Sequence, residues 1–184
     1  MKLSALALGA MISIATLAGV AYAANPEVGG APMYEDKNII ENAVNSADHT
    51  TLVAAVQAAG LVETLSGPGP FTVFAPVNAA FEALPAGTVE GLLKPEAKDQ
   101  LTAVLTYHVV AGDIKSADLI KMINDAGGTL KVATVQGGEL TFALDGGMVK
   151  VTDAAGGVAT VTIADVDQSN GVIHVIDKVL LPSM

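Results

Sequence analysis

The 184-residue chain contains no cysteine and no arginine. Without cysteine there is neither a disulfide framework nor a lipid-modified N-terminal cysteine, so an ordinary apolar core must hold the fold. All nine basic residues are lysines, set against nineteen Asp and Glu for a net charge of −10, which argues against nucleic acid as a partner. The missing guanidinium removes the planar fork that grips phosphate or carboxylate in two places, so phosphorylated ligands are disfavoured as well. The negative charge repels anionic surfaces, and any adhesive role therefore needs polar, apolar or cation-bridged contacts. Metal and catalytic clusters are also missing. The three histidines, His49, His108 and His174, stand alone with no His-x-x-x-His spacing and no Glu beside them, so no zinc or other metal site is expected. There is no Gly-x-Ser-x-Gly elbow and no phosphate loop, so the chain reads as a non-enzyme with no catalytic residues and no cofactor.

What is present begins with a leader. In residues 1–23, Lys2 precedes a small and apolar run from Leu3 to Val20 and then Ala21-Tyr22-Ala23, which is signal-peptide grammar. An uncleaved anchor is the competing reading, because the run is nearly long enough to cross a bilayer; the small residues flanking the cleavage point favour removal. The expectation is a chain exported to the periplasm or the outside, starting at Ala24 and not integral to the membrane. Residues 24–36 hold two Pro and two Gly without periodicity and read as a flexible tether. Residues 37–184, rich in hydrophobic side chains, then form one domain.

Helical spacing comes first along that domain. Ile39, Ile40 and Val44, then Leu52, Val53 and Val56, mark two short helices broken around Ser46 to Asp48, with Asp48 as N-cap and Gly60 as stop. A further helix follows Pro95 and carries Leu101, Val104 and Leu105, with His108 continuing the stripe; another spans Ser116 to Asp125. Between them, "GPFTVFAPVNAAF", Gly69 to Phe81, reads as a buried strand stopped by Pro76, with Asn78 capping a helix that bears Phe81 and Leu84. From Gly127 onward, Gly-Gly pairs fall every nine or ten residues between Val/Thr-rich segments, the pattern of an antiparallel meander. Helices first and strands later make the class α+β.

The stretch "DVDQSNGVIHVID", Asp165 to Asp177, places Asp165, Asp167 and Ser169 at positions 1, 3 and 5 of a calcium loop. That reading fails, since Asn170 stands where the turn glycine belongs and Ile176 where the closing Glu belongs. Asn170-Gly171 is a turn signal in which both residues tolerate positive φ, and a buried strand follows it.

Three segments together resemble the fasciclin (FAS1) family. They are "FTVFAPVNAAF", containing Thr72, Val73, Phe74, Ala75, Pro76 and Phe81; "YHVV" from Tyr107; and "NGVIHVIDKVLLP", containing Asn170, Gly171 and His174. The resemblance spans Lys37 to Pro182. It implies a twisted β-sandwich wedge flanked by short helices, with the two long motifs as neighbouring strands. It also implies a secreted, non-enzymatic module for cell adhesion or matrix contact, with a surface or matrix protein or a polysaccharide as partner. Asp165-Val166 falls where animal relatives carry an integrin-associated Asp-Ile pair, with Asp167 after it, and Tyr107-His108 matches a second adhesive segment. These five residues are the candidate contacts. The alternative that the resemblance offers is a carrier of an apolar small molecule, such as the carotenoids some relatives bind.

Overall fold

The structure, a computed structural model, describes residues 25–183, so the signal reading of residues 1–23 lies outside the described residues. The chain opens with a small hairpin, β1 (Glu27–Val28) and β2 (Ala31–Pro32). It continues through α1 (Ile39–Ala43), α2 (Thr50–Ala59), α3 (Val62–Ser66), β3 (Phe71–Pro76), α4 (Asn78–Glu82), α5 (Thr88–Leu92) and α6 (Lys98–Tyr107). After β4 (Val109–Ala111) and α7 (Ser116–Asp125) come five strands in succession. They are β5 (Thr129–Ala133), β6 (Glu139–Asp145), β7 (Met148–Thr152), β8 (Val158–Gln168) and β9 (Gly171–Ile176).

Seven strands form one sheet in the order β4-β3-β9-β8-β7-β6-β5. The two long motifs pair in parallel at its centre, with Phe71 opposite Gly171 and Phe74 opposite His174, and every other pairing is antiparallel. Just beyond β5, Val135 N–H bonds the Val109 carbonyl of β4 at 2.8 Å, which brings the two ends of the sheet together. Close approach of the central backbones requires glycine. A Cβ on Gly171 would stand 1.9 Å from the Phe71 oxygen, and one on Gly69 would stand 1.9 Å from the Asn170 oxygen.

Because successive side chains point to opposite faces, β3 and β9 feed two cores. Val73, Ala75, Ile173 and Val175 meet the helical layer, where Leu52, Val56, Leu101 and Leu105 pack. Phe74 and Ile176 face the other way, toward Leu119 and Ile123 of α7 and the inward residues Leu140, Phe142, Val149 and Val151 of the meander. Phe74 lies 5.2 Å from the Phe142 ring centre and stacks on His174 at 5.5 Å. Side chains alternate along β7 and just past it: Val149, Val151 and Asp153 are buried, while Met148 is exposed.

Four local expectations change. Residues 24–36 are not a free tether throughout: Val28 and Met33 are buried in the first core, because the hairpin gives a stretch too short for periodicity two apolar anchors. Asp48 caps nothing; it sits exposed within a single 3-10 turn, Ala47–His49. Asn78 does not cap its own helix but bridges to the start of α2, accepting from Thr51 N–H at 3.0 Å and donating to the Ala47 carbonyl at 2.8 Å. Asn170 has no positive φ; its amide is used for tertiary bonds instead. The Gly60 stop is as expected, in the left-handed conformation.

Candidate functional site

The candidate residues gather where β8 and β9 meet the start of α7. Register shifts in β8 between Val161 and Val166 bend the strand there, and Asp165 adopts φ +56°, the one non-glycine residue with positive φ among those described. The irregularity turns Asp165 toward α7. Lys115, at the N-cap position of that helix, offers no side-chain cap, and the Asp165 carboxylate serves in its place. It accepts from Ser116 N–H at 2.6 Å and from the Ser116 hydroxyl. A carboxylate against the exposed amides of a first turn satisfies donors that the helix cannot satisfy itself.

Around this cap lies a polar network. Thr72 accepts from Ile114 N–H at 2.9 Å and donates to the Gly112 carbonyl at 2.6 Å. His174 Nδ1 accepts from Asp165 N–H at 3.3 Å, which leaves Nε2 to donate to the Ile114 carbonyl at 2.8 Å. Burial lowers the His174 pKa, opposed by the Ile114 carbonyl and then by Asp165, Asp113 and Asp167. Asp167 pairs with Lys115 at 3.1 Å on the surface, with side chains 35% and 47% exposed, and this bond raises the lysine pKa. Val166, between the two aspartates, is fully buried in the first core.

Tyr107 and His108 sit elsewhere, at the end of α6, and both are inside. Tyr107 has no exposed surface; its hydroxyl donates to the Glu139 carbonyl at 2.8 Å and accepts from Ala154 N–H at 2.9 Å. A Cβ on Gly138 would come within 2.7 Å of its ring, so that glycine makes room for the ring. Burial raises the phenol pKa, with Ala154 N–H opposing and the Asp153 charge reinforcing. His108, 2% exposed, donates from Nδ1 to the Val104 carbonyl at 2.7 Å and accepts at Nε2 from Leu180 N–H at 2.9 Å. Burial lowers its pKa to about 4. The expectation that Tyr107, His108 and Val166 present themselves to a partner is thus corrected: all three are packing and hydrogen-bonding groups. Of the five candidates, Asp165 and Asp167 alone reach the surface region.

Asn170 links three elements, accepting from Ile39 N–H at 3.1 Å and donating to the Leu65 and Gly67 carbonyls at 2.7 and 3.0 Å. Sequence reasoning passed over Lys115 and Ser116, whose signal was a serine opening a helix behind a lysine. It also passed over the Ser46–His49 pair, where Ser46 Oγ and His49 Nδ1 lie 2.9 Å apart in the interior. Among the described residues no group of three or more His, Asp or Glu could hold a metal ion, and no helix is long and apolar enough to cross a membrane.

The arrangement of paired parallel motifs, two cores and a bulged β8 has a known counterpart. The Fasciclin domain family model matches residues 47–182. The chain belongs to the fasciclin family. It is 56% identical to Protein sll1483 of Synechocystis sp. over 146 residues, covering 79% of this chain and 74% of that protein. It is 39% identical to the Immunogenic protein MPB70 of Mycobacterium bovis over 145 residues, covering 76% of this chain and 66% of that protein. Among solved structures, a FAS1 domain pair from the insect cell adhesion molecule fasciclin I matches with a TM-score of 0.69 at 18% identity. The match covers 79% of this chain and 51% of that one, about half of the pair, and it shows a shared fold. The FAS1 wedge expected from the motifs is the architecture found.

Proposed function

We propose that this fasciclin domain is an exported, non-enzymatic module that makes adhesive or matrix contacts through the rim where β8 meets α7. The observation that supports this most is the built surface at Asp167 and Lys115. The two side chains are paired and part-exposed, Asp167 on β8 and Lys115 just before α7, and the internal Asp165–Ser116 bonds tie these two segments together. A rigid, exposed charge pair can meet a protein or polysaccharide without the entropic cost of ordering a loop. The three histidines support the non-enzymatic reading, since each is buried and at least one ring nitrogen of each is engaged within the protein. The insect cell adhesion molecule fasciclin I, whose domain pair shares this fold, supports the same class of role.

Asp167→Ala and Lys115→Ala proteins, with circular dichroism matching the parent, test the rim in an attachment assay on cells or matrix from the native source. Attachment reduced by either change is expected. Full attachment by both would remove the rim from the interface. The carotenoid-carrier alternative finds no room inside the first core, where the apolar cavity has a volume of about 40 Å3, against roughly 300 Å3 or more for pockets that hold drug-sized ligands; a cleft of about 300 Å3 beside Phe81, Leu84 and Val89 is open rather than enclosed. Visible absorbance that co-elutes with protein purified from its native host would revive it.

A further inference from the structure

That small cavity carries an observation independent of the adhesive rim. It lies between the hairpin, α1, α2 and the central strands, with Val28, Met33, Ala43, His49, Val73 and Ile173 among its lining. The His49 ring is 3% exposed and its Nδ1 is taken by Ser46. Its Nε2 is buried and has no hydrogen-bond partner; the Ala75 backbone acts on the ring without reaching hydrogen-bond geometry. A buried polar atom left without a partner costs on the order of 1–3 kcal/mol. Something that bonds Nε2 while filling apolar space would recover both losses.

Water suits the site poorly. It wants two to four polar partners, and apart from one imidazole nitrogen the lining is almost entirely apolar side chains. A molecule with one polar atom and a short apolar body suits it better. At the packing of benzene in a cavity of roughly 150 Å3, the space here, about 40 Å3, corresponds to about one or two heavy atoms. The imidazole is neutral, because burial lowers its pKa, and its free nitrogen is a donor or an acceptor according to which tautomer Ser46 selects. A hydroxyl group can complement either.

We propose that the cavity is a binding site for a small neutral alcohol, with His49 Nε2 bonding the hydroxyl and the N-terminal hairpin as its cover. Val28 and Met33 are the hairpin's contributions to the lining. The hairpin is pinned at its tip, where Ala47 N–H bonds the Gly29 carbonyl at 3.2 Å and a Cβ on Gly29 would stand 2.4 Å from Ser46 Oγ. The hairpin therefore rests on the same turn that presents His49, and entry requires it to lift. The hairpin also precedes the span that the family model matches, which begins at residue 47.

The test is an NMR titration of the 15N-labelled protein with methanol and, separately, with xenon as an apolar probe that makes no hydrogen bond. Saturable shifts are expected at the amides of Val28, Met33, Ala43 and His49 with both probes. His49→Leu is expected to keep xenon and to lower the ratio of methanol to xenon affinity about tenfold, the worth of one hydrogen bond. Val56→Ile, which adds one methylene to a residue lining the void, is expected to weaken both probes and decides the matter if His49→Leu does not fold. Shifts that stay linear in methanol, shifts confined to other regions, or an unchanged methanol-to-xenon ratio in His49→Leu would each overturn the proposal. So would methanol binding undiminished by Val56→Ile.

Discussion

Taking the protein from pH 7.5 to pH 4 drives protons toward three imidazoles that the fold holds neutral, and His108 gives the largest worked effect. Its ring donates to the Val104 carbonyl and accepts from Leu180 N–H, so a second proton would set Nε2–H against another N–H inside the core. Burial, the leading cause, takes the pKa from 6.5 to about 4. Between those values the unfolded chain binds the proton and the folded chain does not. The stability is therefore complete above pH 6.5 and is lost as the pH falls through 4. At about 1.4 kcal/mol per pKa unit, the loss attributable to this residue by pH 4 is about 3 kcal/mol. The comparison protein is His108→Gln, which can still accept from Leu180 N–H but leaves the Val104 carbonyl unpaired, at a cost of about 1–2 kcal/mol near neutrality. Urea unfolding of both proteins, followed by far-ultraviolet circular dichroism from pH 7.5 to pH 4, cancels the carboxylates they share. The parent should start more stable, and its advantage should shrink by about 3 kcal/mol and reverse. A difference between the two proteins that stays constant with pH would refute the reasoning, because His108 would then titrate alike in folded and unfolded chains.

Three further outcomes follow from the same geometry. Asp165→Ala should cost about 2 kcal/mol, from the lost α7 cap and from a Cβ held at positive φ, whereas Asp165→Gly should cost about 1 kcal/mol less; urea midpoints and faster amide exchange in α7 check this. Asn170→Ala removes three hydrogen bonds to backbone groups and should cost about 3 kcal/mol, with exchange at the Ile39 amide rising most. Tyr107→Phe strips the hydroxyl from between Glu139 and Ala154 and should lower stability by about 1–2 kcal/mol while attachment by the folded protein stays unchanged, since the hydroxyl is internal.

Much of the fold was legible along the chain because its signals are local. The helix from Ser116 to Asp125 has one apolar stripe and a Gly pair after it, and the meander alternates Val and Thr between paired glycines. Neither depends on distant residues to declare itself. The hairpin at 27–32 was not legible, because two-residue strands carry no period and only burial of Val28 and Met33 gives it a purpose. The same holds for Asn78 and Asn170, read as local cap and turn residues: an amide side chain serves a neighbour in sequence or one far along the chain equally well. Ile39 lies 131 residues from the Asn170 oxygen it bonds.

Composition and hydrophobic period by themselves determined the α+β class, since that follows from which side chains must leave water; the family and the pairing of the two central strands came from the resemblance that the three motifs carry. The tertiary structure alone decided what the candidate residues do. It turned Tyr107, His108 and Val166 inward, made Asp165 the cap of a helix 49 residues away, and left Asp167 with Lys115 at the surface. It also placed an unpartnered His49 nitrogen in the lining of a small apolar cavity. The reason is geometric: a bulge in one strand and the docking of a hairpin set directions and distances between residues remote in sequence, and residue type does not encode these.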